Sequence, residues 1–137
     1  MSVNLPNIKS YDKPAVLIID DEVKICLLIK AFLEQTKQFR NVVIAETSGV
    51  GSMKLRNDEF DLVIIDYKLP DRSGVQFVQS VKKSTKYNNL KFLLVSGYLD
   101  NQSMIDVVSS GIKHVLVKPF TRDDLMNKVC KILKMEI

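Results

Sequence analysis

Five short apolar segments place the strongest constraint on how this chain of 137 residues folds. They are rich in valine, isoleucine and leucine, and they do not alternate with polar residues. The segments are Ala15–Ile19, Val42–Ala45, Leu62–Ile65, Phe92–Val95 and Val115–Val117. Strands with this pattern are buried on both faces, as in a parallel sheet that helices cover on each side. The sequence therefore predicts five parallel strands.

Segments with helical periodicity follow the apolar runs. The first helix has apolar residues at helical spacing, and these are expected to face the core. They are Ile25, Leu28, Ile29, Phe32 and Leu33. The second helix is predicted near Ser52–Asn57, because Gly49 and Gly51 weaken any earlier start. The fourth is predicted around Gln102–Ser110 with a weak apolar pattern, and Gly111 is its expected end.

The third and fifth helices carry clearer start signals. Ser73 is the expected N-cap of the third helix, and Thr121 opens the fifth with a sequence that resembles a capping box. The inward faces are predicted to comprise Phe77, Val78 and Val81 in the third helix, and Leu125, Val129, Ile132 and Leu133 in the fifth. Alternation of strand and helix five times over predicts one α/β domain with helices on both faces of the sheet. That domain is expected over residues 14–137, after a flexible leader at residues 1–13.

Composition excludes several classes of protein. Apolar residues make up 46% and charged residues 26%, which is typical of a globular domain rather than a disordered chain. No apolar run approaches the roughly 20 residues that span a bilayer, and the start lacks a signal-peptide pattern, so a cytoplasmic location is expected. The net charge of +4 comes from scattered lysines, so we expect no nucleic-acid binding by this domain. Cys26 and Cys130 lack metal-ligand spacing and are predicted to be reduced core thiols.

Polar residues that could do chemistry lie directly after four of the apolar runs. Asp20, Asp21 and Glu22 follow the first run, and single residues follow the third, fourth and fifth. The single residues are Asp66, Ser96 and Lys118. The carboxyl ends of parallel strands lie at one edge of a sheet, where such folds place their sites. We therefore expect these side chains to converge.

Such a cluster suits phosphoryl transfer. Clustered carboxylates repel one another and raise each other's pKa values, and Mg²⁺ bound to one or two of them would relieve that repulsion. A lysine and a serine hydroxyl could contact phosphoryl oxygens, and positioning with charge neutralisation carries most of the catalysis in this chemistry. A carboxylate can itself be the nucleophile, and Asp66 is the natural candidate.

Three motifs in this order resemble the receiver domains of response regulators. They are Val16 to Glu22 (VLIIDDE), Asp61 to Gly74 (DLVIIDYKLPDRSG) and Val117 to Phe120 (VKPF). The resemblance covers roughly residues 14–137. It implies a flavodoxin-like (βα)₅ fold with strand order 2-1-3-4-5. It also implies phosphorelay signal transduction in a two-component system, with a chemotaxis-regulator-like phosphoprotein as the switch.

The resemblance further implies a role for each site residue. Asp66 would accept a phosphoryl group from a phosphohistidine on a partner, giving an aspartyl phosphate. Asp21, Asp66 and the backbone carbonyl of Lys68 would ligate Mg²⁺, with Asp20 acting through water. Ser96 and Lys118 would contact the bound phosphoryl group, and the peptide that joins Lys118 to Pro119 would be cis. The partner would be a sensor histidine kinase or a histidine phosphotransfer protein, and the downstream target would dock on the face of the fourth and fifth helices.

The sequence departs from the family pattern at one place. The family often carries an aromatic residue three positions before the lysine, and here that position is Val115. We therefore expect output to depend on movement of the fourth helix and its loop, residues 97–101, rather than on a hydroxyl–aromatic pair. Lys68 and Tyr98 are expected to flank the phosphoryl site and to slow the attacking water, which predicts a long-lived acyl phosphate.

Alternative interpretations stay open beside this one. Asp20 and Asp21 could simply cap the first helix, and Ser96 could be an ordinary loop serine. A phosphohydrolase with an aspartate nucleophile is a rival, although the adjacent aspartates do not fit its spaced pair. A receiver-like scaffold that is inert to phosphorylation is another. His114 is expected to be structural, so a phosphodonor should act in trans.

Further expectations concern the chain as a whole. It is expected to be a signalling switch rather than an enzyme, to catalyse only its own phosphorylation and dephosphorylation, and to be a monomer or weak dimer without membrane contact. Both a stand-alone regulator and a fragment of a larger regulator or hybrid kinase agree with the sequence, and the former is slightly favoured. The stretch from Gly49 to Gly51 does not follow the first strand, which argues against a dinucleotide site.

Overall fold

A computed structural model describes residues 13–136. Its sheet has five strands, and their bounds agree with the predicted runs to within one residue at each end. They are β1 (Ala15–Ile19), β2 (Asn41–Ala45), β3 (Leu62–Asp66), β4 (Lys91–Ser96) and β5 (Val115–Val117). All pairs are parallel, and the order β2-β1-β3-β4-β5 confirms the predicted topology. The predicted flexible leader, apart from Lys13, lies outside the described residues.

Within residues 13–136, five α-helices and a short 3₁₀ helix follow the strands. The α-helices are α1 (Val23–Gln35), α2 (Ser48–Asn57), α3 (Gly74–Lys82), α4 (Asn101–Ser109) and α5 (Arg122–Leu133). The 3₁₀ helix spans Thr85–Tyr87. Within residues 13–136, no helix has both the length and the apolar character that crossing a membrane requires.

Two apolar cores lie on opposite faces of the sheet. Helices α1 and α5 cover one face, where Val16 and Ile18 of β1 point. Helices α2, α3 and α4 cover the other, where Leu17 and Ile19 point. Alternate residues of one strand therefore fill different cores, which explains why the strands are apolar throughout.

The predicted start of α2 was wrong. The helix begins at Ser48 rather than near Ser52, and the side chain of Thr47 caps it by accepting a hydrogen bond from the N–H of Val50 at 3.1 Å. Both glycines therefore lie inside the helix. A Cβ at Gly51 would lie 2.5 Å from Cδ1 of Ile19, so this glycine lets α2 approach β1 closely. The packing outweighs the cost of glycine in a helix, which is about 1 kcal/mol.

The predicted inward faces of α1 and α5 needed smaller corrections. Leu28 is 41% exposed, because the buried stripe of α1 runs instead through Cys26, Ile29 and Leu33. Leu133, the last residue of α5, is only half-buried, because the chain leaves the helix in the left-handed region at Lys134. The other predicted contacts of α3 and α5 are buried, and both capping boxes are present.

The two thiols differ in burial. Cys26 is fully buried as predicted, whereas Cys130 is half-buried and lies at the edge of the core that α5 covers. Neither forms a disulfide. Glu22 rather than Asp20 or Asp21 is the N-cap residue of α1, and its side chain makes no capping hydrogen bond. The alternative interpretation, in which Asp20 and Asp21 cap the first helix, was therefore wrong.

Candidate functional site

The side chains predicted to form a site are fixed by the carboxyl ends of four strands. Backbone hydrogen bonds extend the sheet one residue past β1 and β5, from Asp20 N–H to the Ala45 carbonyl at 3.1 Å and from Lys118 N–H to the Ser96 carbonyl at 2.7 Å. Asp66 is the last residue of β3, and Ser96 is the last of β4. The parallel register thus brings all four to the same edge, as the sequence predicted.

Lys118 is the centre of the site. Its Nζ lies 2.8 Å from Oε1 of Glu22, 3.3 Å from Oδ2 of Asp20 and 3.3 Å from Oδ1 of Asp66. The Lys118–Pro119 peptide is cis, as the resemblance implied. One ammonium group therefore contacts three carboxylates that come from two strands.

The aspartates form a compact group of oxygens. One carboxylate oxygen from each of Asp20, Asp21 and Asp66 lies within 4.8 Å of the others. Asp20 and Asp66 are buried, whereas Asp21 is exposed. Asp20 is held in place because its Oδ1 accepts a hydrogen bond from the N–H of Glu22 at 2.9 Å. The group therefore opens to solvent on the side of Asp21.

Burial shifts the proton equilibria of this cluster. Burial and, next, the charge of Asp20 raise the pKa of Asp66 to about 6, although Lys118 opposes the change. Burial also raises the pKa of Asp20. For Lys118, burial favours the neutral amine, but the Glu22 hydrogen bond and the charges of Asp66 and Asp20 outweigh it and raise the pKa. Acidic groups thus outnumber the lysine, and the excess negative charge favours binding of a cation.

The three aspartates are consistent with a metal site. Oxygen ligands around octahedral Mg²⁺ lie about 3 Å apart when adjacent and about 4 Å apart when opposite. One oxygen from each aspartate lies within 4.8 Å of the other two, so the three oxygens are close enough to surround one cation. The donor set is all oxygen, which is what Mg²⁺ prefers. Asp20, Asp21 and Asp66 together are therefore a candidate site for a divalent cation.

A cleft of about 410 Å³ adjoins the aspartates. Its lining brings the predicted Ser96, Lys68 and Tyr98 to the same place as the acids and the lysine. The lining residues are Asp21, Glu22, Asp66, Lys68, Ser96, Gly97, Tyr98 and Lys118. Ser96 is buried at the base, whereas Tyr98 is 89% exposed at the rim. The cleft therefore has room for an anion beside the lysine.

Two contacts of the site were not predicted from the sequence. Glu22 is the nearest partner of Lys118, although it had been grouped with the acids without a role of its own. Its position directly after the aspartate pair was the available signal. The thiol of Cys26 donates to the Asp20 carbonyl at 3.2 Å, and burial raises its pKa to about 12, so it stays a neutral thiol.

His114 lies away from the site. It directly precedes β5, and its carbonyl accepts a hydrogen bond from the N–H of Leu94, whereas the site residue Lys118 follows the same strand. Val115, where the family often has an aromatic residue, is half-buried in the core that α2, α3 and α4 cover. The structure therefore places neither residue among the reactive groups.

Comparisons with known proteins agree with this geometry. A family model described as response regulator receiver domain matches residues 16–130. The chemotaxis protein CheY of Pseudomonas aeruginosa is 26% identical over 119 residues, which cover 87% of this chain and 95% of that protein. The hybrid signal transduction histidine kinase D of Dictyostelium discoideum is 25% identical over 126 residues, but the chain spans only 8% of its length.

Solved structures share the fold. A CheY-like receiver domain protein from Methanospirillum hungatei has a TM-score of 0.80 and 30% identity, and the match covers 89% of this chain and 94% of that one. The chemotaxis regulator CheY4 of Vibrio cholerae has a TM-score of 0.79 at 23% identity, which supports the fold alone.

Proposed function

The chain belongs to the response regulator receiver domain family of two-component signalling, and on that premise we propose that Asp66 accepts a phosphoryl group from a phosphohistidine on a partner. The observation that carries the proposal is the meeting of Asp66 with Lys118 and two further aspartates at one cleft. A receiver domain generally implies a histidine kinase as partner. A sensor kinase or a histidine phosphotransfer protein would supply the group here.

Asp66 is suited to act as the nucleophile. With a pKa of about 6, most of its carboxylate is ionised at neutral pH, by roughly ten to one. In the transfer, an oxygen of Asp66 bonds to phosphorus while the N–P bond of the donor breaks. The imidazole keeps the electron pair of that bond, and the product is an acyl phosphate.

The remaining residues position and neutralise charge. When bound, Mg²⁺ supplies positive charge that offsets the carboxylates and the phosphoryl oxygens. Lys118, now shared among three carboxylates, would bond one phosphoryl oxygen, and the hydroxyl of Ser96 would donate to another. Asp21, Asp66 and the Lys68 carbonyl would hold the ion, with Asp20 acting through water.

The output of the domain is a change in protein contacts. A signalling module fits the family, and we propose that its only chemistry is its own phosphorylation and dephosphorylation. The exposed apolar residues Met104, Ile105 and Val108 of α4 support a docking face for a downstream target on α4 and α5. We propose a monomer or weak dimer in the cytoplasm, with no nucleic acid bound by this domain.

A phosphorylation assay tests the proposal. Wild-type protein incubated with acetyl phosphate and Mg²⁺ should give a retarded band on a phosphate-affinity gel, and Asp66→Asn should give none. Asp123→Asn is the matched control, because it removes an exposed aspartate on α5 that pairs with Arg122 across 3.7 Å and does not line the cleft. That variant should be retarded like wild type.

Other outcomes would favour the rivals. No retarded band in wild-type protein would favour an inert receiver-like scaffold, and equal bands in wild type and Asp66→Asn would place the acceptor elsewhere. Steady turnover of a small phosphate ester such as p-nitrophenyl phosphate would favour a phosphohydrolase. These two measurements separate the signalling proposal from both alternatives.

A further inference from the structure

The loop that follows Asp66 contacts the first turn of α2. The carboxylate of Asp71, at the tip of this loop, accepts three hydrogen bonds: from Ser48 N–H at 3.1 Å, from Ser48 Oγ at 2.7 Å and from Gly49 N–H at 3.0 Å. Ser48 is buried, and its hydroxyl also accepts from Nε of Arg72 at 3.0 Å. We call this set of hydrogen bonds the Asp71–Ser48 contact.

The same loop is closed at its base. Lys68 and Ser73 form an antiparallel bridge, and the N–H of Gly74 donates to the Tyr67 carbonyl at 2.8 Å. The N–H of Tyr67 in turn donates to the Val95 carbonyl of β4 at 2.9 Å. The loop is therefore anchored to the sheet at its base, where Lys68 lies, and to α2 at its tip through Asp71.

Capping of α2 does not by itself explain the Asp71–Ser48 contact. Thr47 already supplies the usual cap, since its hydroxyl accepts from the N–H of Val50 and its carbonyl accepts from the N–H of Gly51. Thr47 does not accept from the N–H groups of Ser48 and Gly49, and Asp71 accepts from both. At an exposed helix start, water can accept from such N–H groups instead. The distinctive consequence of using a side chain from another loop is that α2 and this loop are fixed relative to each other.

We propose that Asp71 is a positioning residue for the cation site, because it fixes the loop that carries Lys68, a residue that lines the cleft and whose carbonyl is a proposed ligand of the ion. This inference depends on the proposed function, since the site for Mg²⁺ at Asp21 and Asp66 is part of it. Asp71 is not among the residues that line the cleft, so it is not itself proposed as a ligand. It acts by limiting the motion of the loop, so the carbonyl is already in place when the ion binds. Supporting groups of this kind are generally worth 10- to 100-fold in metal affinity.

Calorimetric titration of Mg²⁺ into the whole chain tests this role. Asp71→Ala should raise the Kd for Mg²⁺ about 10-fold, at the lower end of the usual range for supporting groups. Ser48→Ala removes one of the three hydrogen bonds and should raise Kd by a smaller factor. Thr47→Ala is the matched control, because it removes a cap from the same helix turn without touching the loop, and its Kd should stay within about twofold of wild type.

A second readout separates positioning from general loss of stability. Amide exchange of residues 67–74 without Mg²⁺ should be faster in Asp71→Ala and unchanged in Thr47→Ala, even where both variants lower Tm. A wild-type Kd in Asp71→Ala, or an equal rise of Kd in Thr47→Ala, would overturn the inference. Failure of the proposed function looks different: Asp66→Asn would then leave the Mg²⁺ affinity of the chain unchanged.

Discussion

The two loops that border the cleft are built in different ways. The loop after β3, residues 67–73, is closed by the Lys68–Ser73 bridge and joined to α2 through Asp71. The loop after β4, residues 97–100, carries Tyr98 with 89% of its surface exposed. A Cβ at Gly97 would meet no heavy atom within 4 Å. One loop is therefore held on several sides, and the other lies open to solvent.

The helices that follow these loops show the same difference. Helix α3 starts with a capping box at Ser73 and buries five residues, whereas α4 buries only Val107. Low burial and an exposed face are the features of segments that open at little cost in free energy. We infer that the loop after β3 and α3 keep the site residues in fixed positions. The loop after β4 and α4 can change conformation when the site is phosphorylated.

Alanine at Gly74, the first residue of α3, and at Gly97 in the loop after β4 gives the largest expected contrast. A Cβ at Gly74 would collide with the backbone oxygen of Asp66, so Gly74→Ala should lower the free energy of unfolding by about 3 kcal/mol. Gly97→Ala adds the same methyl group in open space and should change it by less than about 0.5 kcal/mol. Thermal unfolding measures both, with an expected fall in Tm of about 10 °C for Gly74→Ala. Equal effects in the two variants would contradict the comparison.

The sequence predicted which side chains form the site better than it predicted their individual partners. Apolar runs that are followed directly by Asp66, Ser96 and Lys118 were enough to predict a shared edge, because the carboxyl ends of parallel strands lie at one edge of the sheet. The early start of α2 was missed, since the fit of Gly51 against Ile19 depends on packing between residues far apart in the chain.

Contacts between loops were equally hidden from the sequence. The sequence analysis gave Asp71 no role, and its bond to Ser48 joins positions 23 residues apart. The pairing of Glu22 with Lys118 spans 96 residues, and the only local signal for it is the position of Glu22 directly after the aspartate pair. Local pattern thus predicts which elements form and where they end, whereas side-chain partners follow only once the elements have packed.

Amide exchange can test whether α4 is the responsive element. Without a ligand, amides of α4 should exchange at least about tenfold faster than those of α3, because α4 buries so little surface. Beryllium fluoride with Mg²⁺, which mimics the phosphoryl group, should change protection over residues 97–111 and leave residues 74–82 nearly constant. Mass spectrometry resolves both segments. Identical protection of residues 97–111 with and without the mimic would rule out α4 as the switch.

Substitutions in the two loops should change the lifetime of the proposed acyl phosphate by different factors. Lys68 and Tyr98 both line the cleft, one from each loop, and each is expected to hinder the attacking water. Lys68→Asn should speed hydrolysis about fivefold, which corresponds to roughly 1 kcal/mol of barrier. Tyr98→Ala should have a smaller effect, about twofold, since its ring is exposed on the open loop. Decay of the phosphorylated band measures both rates, and no acceleration in either variant would refute the shielding role.

The smallest expected effect concerns the pH dependence of the Asp71–Ser48 contact. The Ser48 hydroxyl, with help from the backbone N–H groups, lowers the pKa of Asp71 from 3.8 to about 2. A lowered folded-state pKa means that the stabilisation is complete above about pH 4 and is lost as the pH falls towards 2. The Tm difference between wild type and Asp71→Asn should therefore be constant from pH 7 to 5 and should narrow from pH 4 to 2.5.

Asp100→Asn provides the comparison in the loop after β4, because the Ser103 N–H also lowers the pKa of Asp100, which accepts from fewer donors than Asp71. A difference for Asp71→Asn that stays constant down to pH 2.5 would show that the charge of Asp71 does not hold the loop.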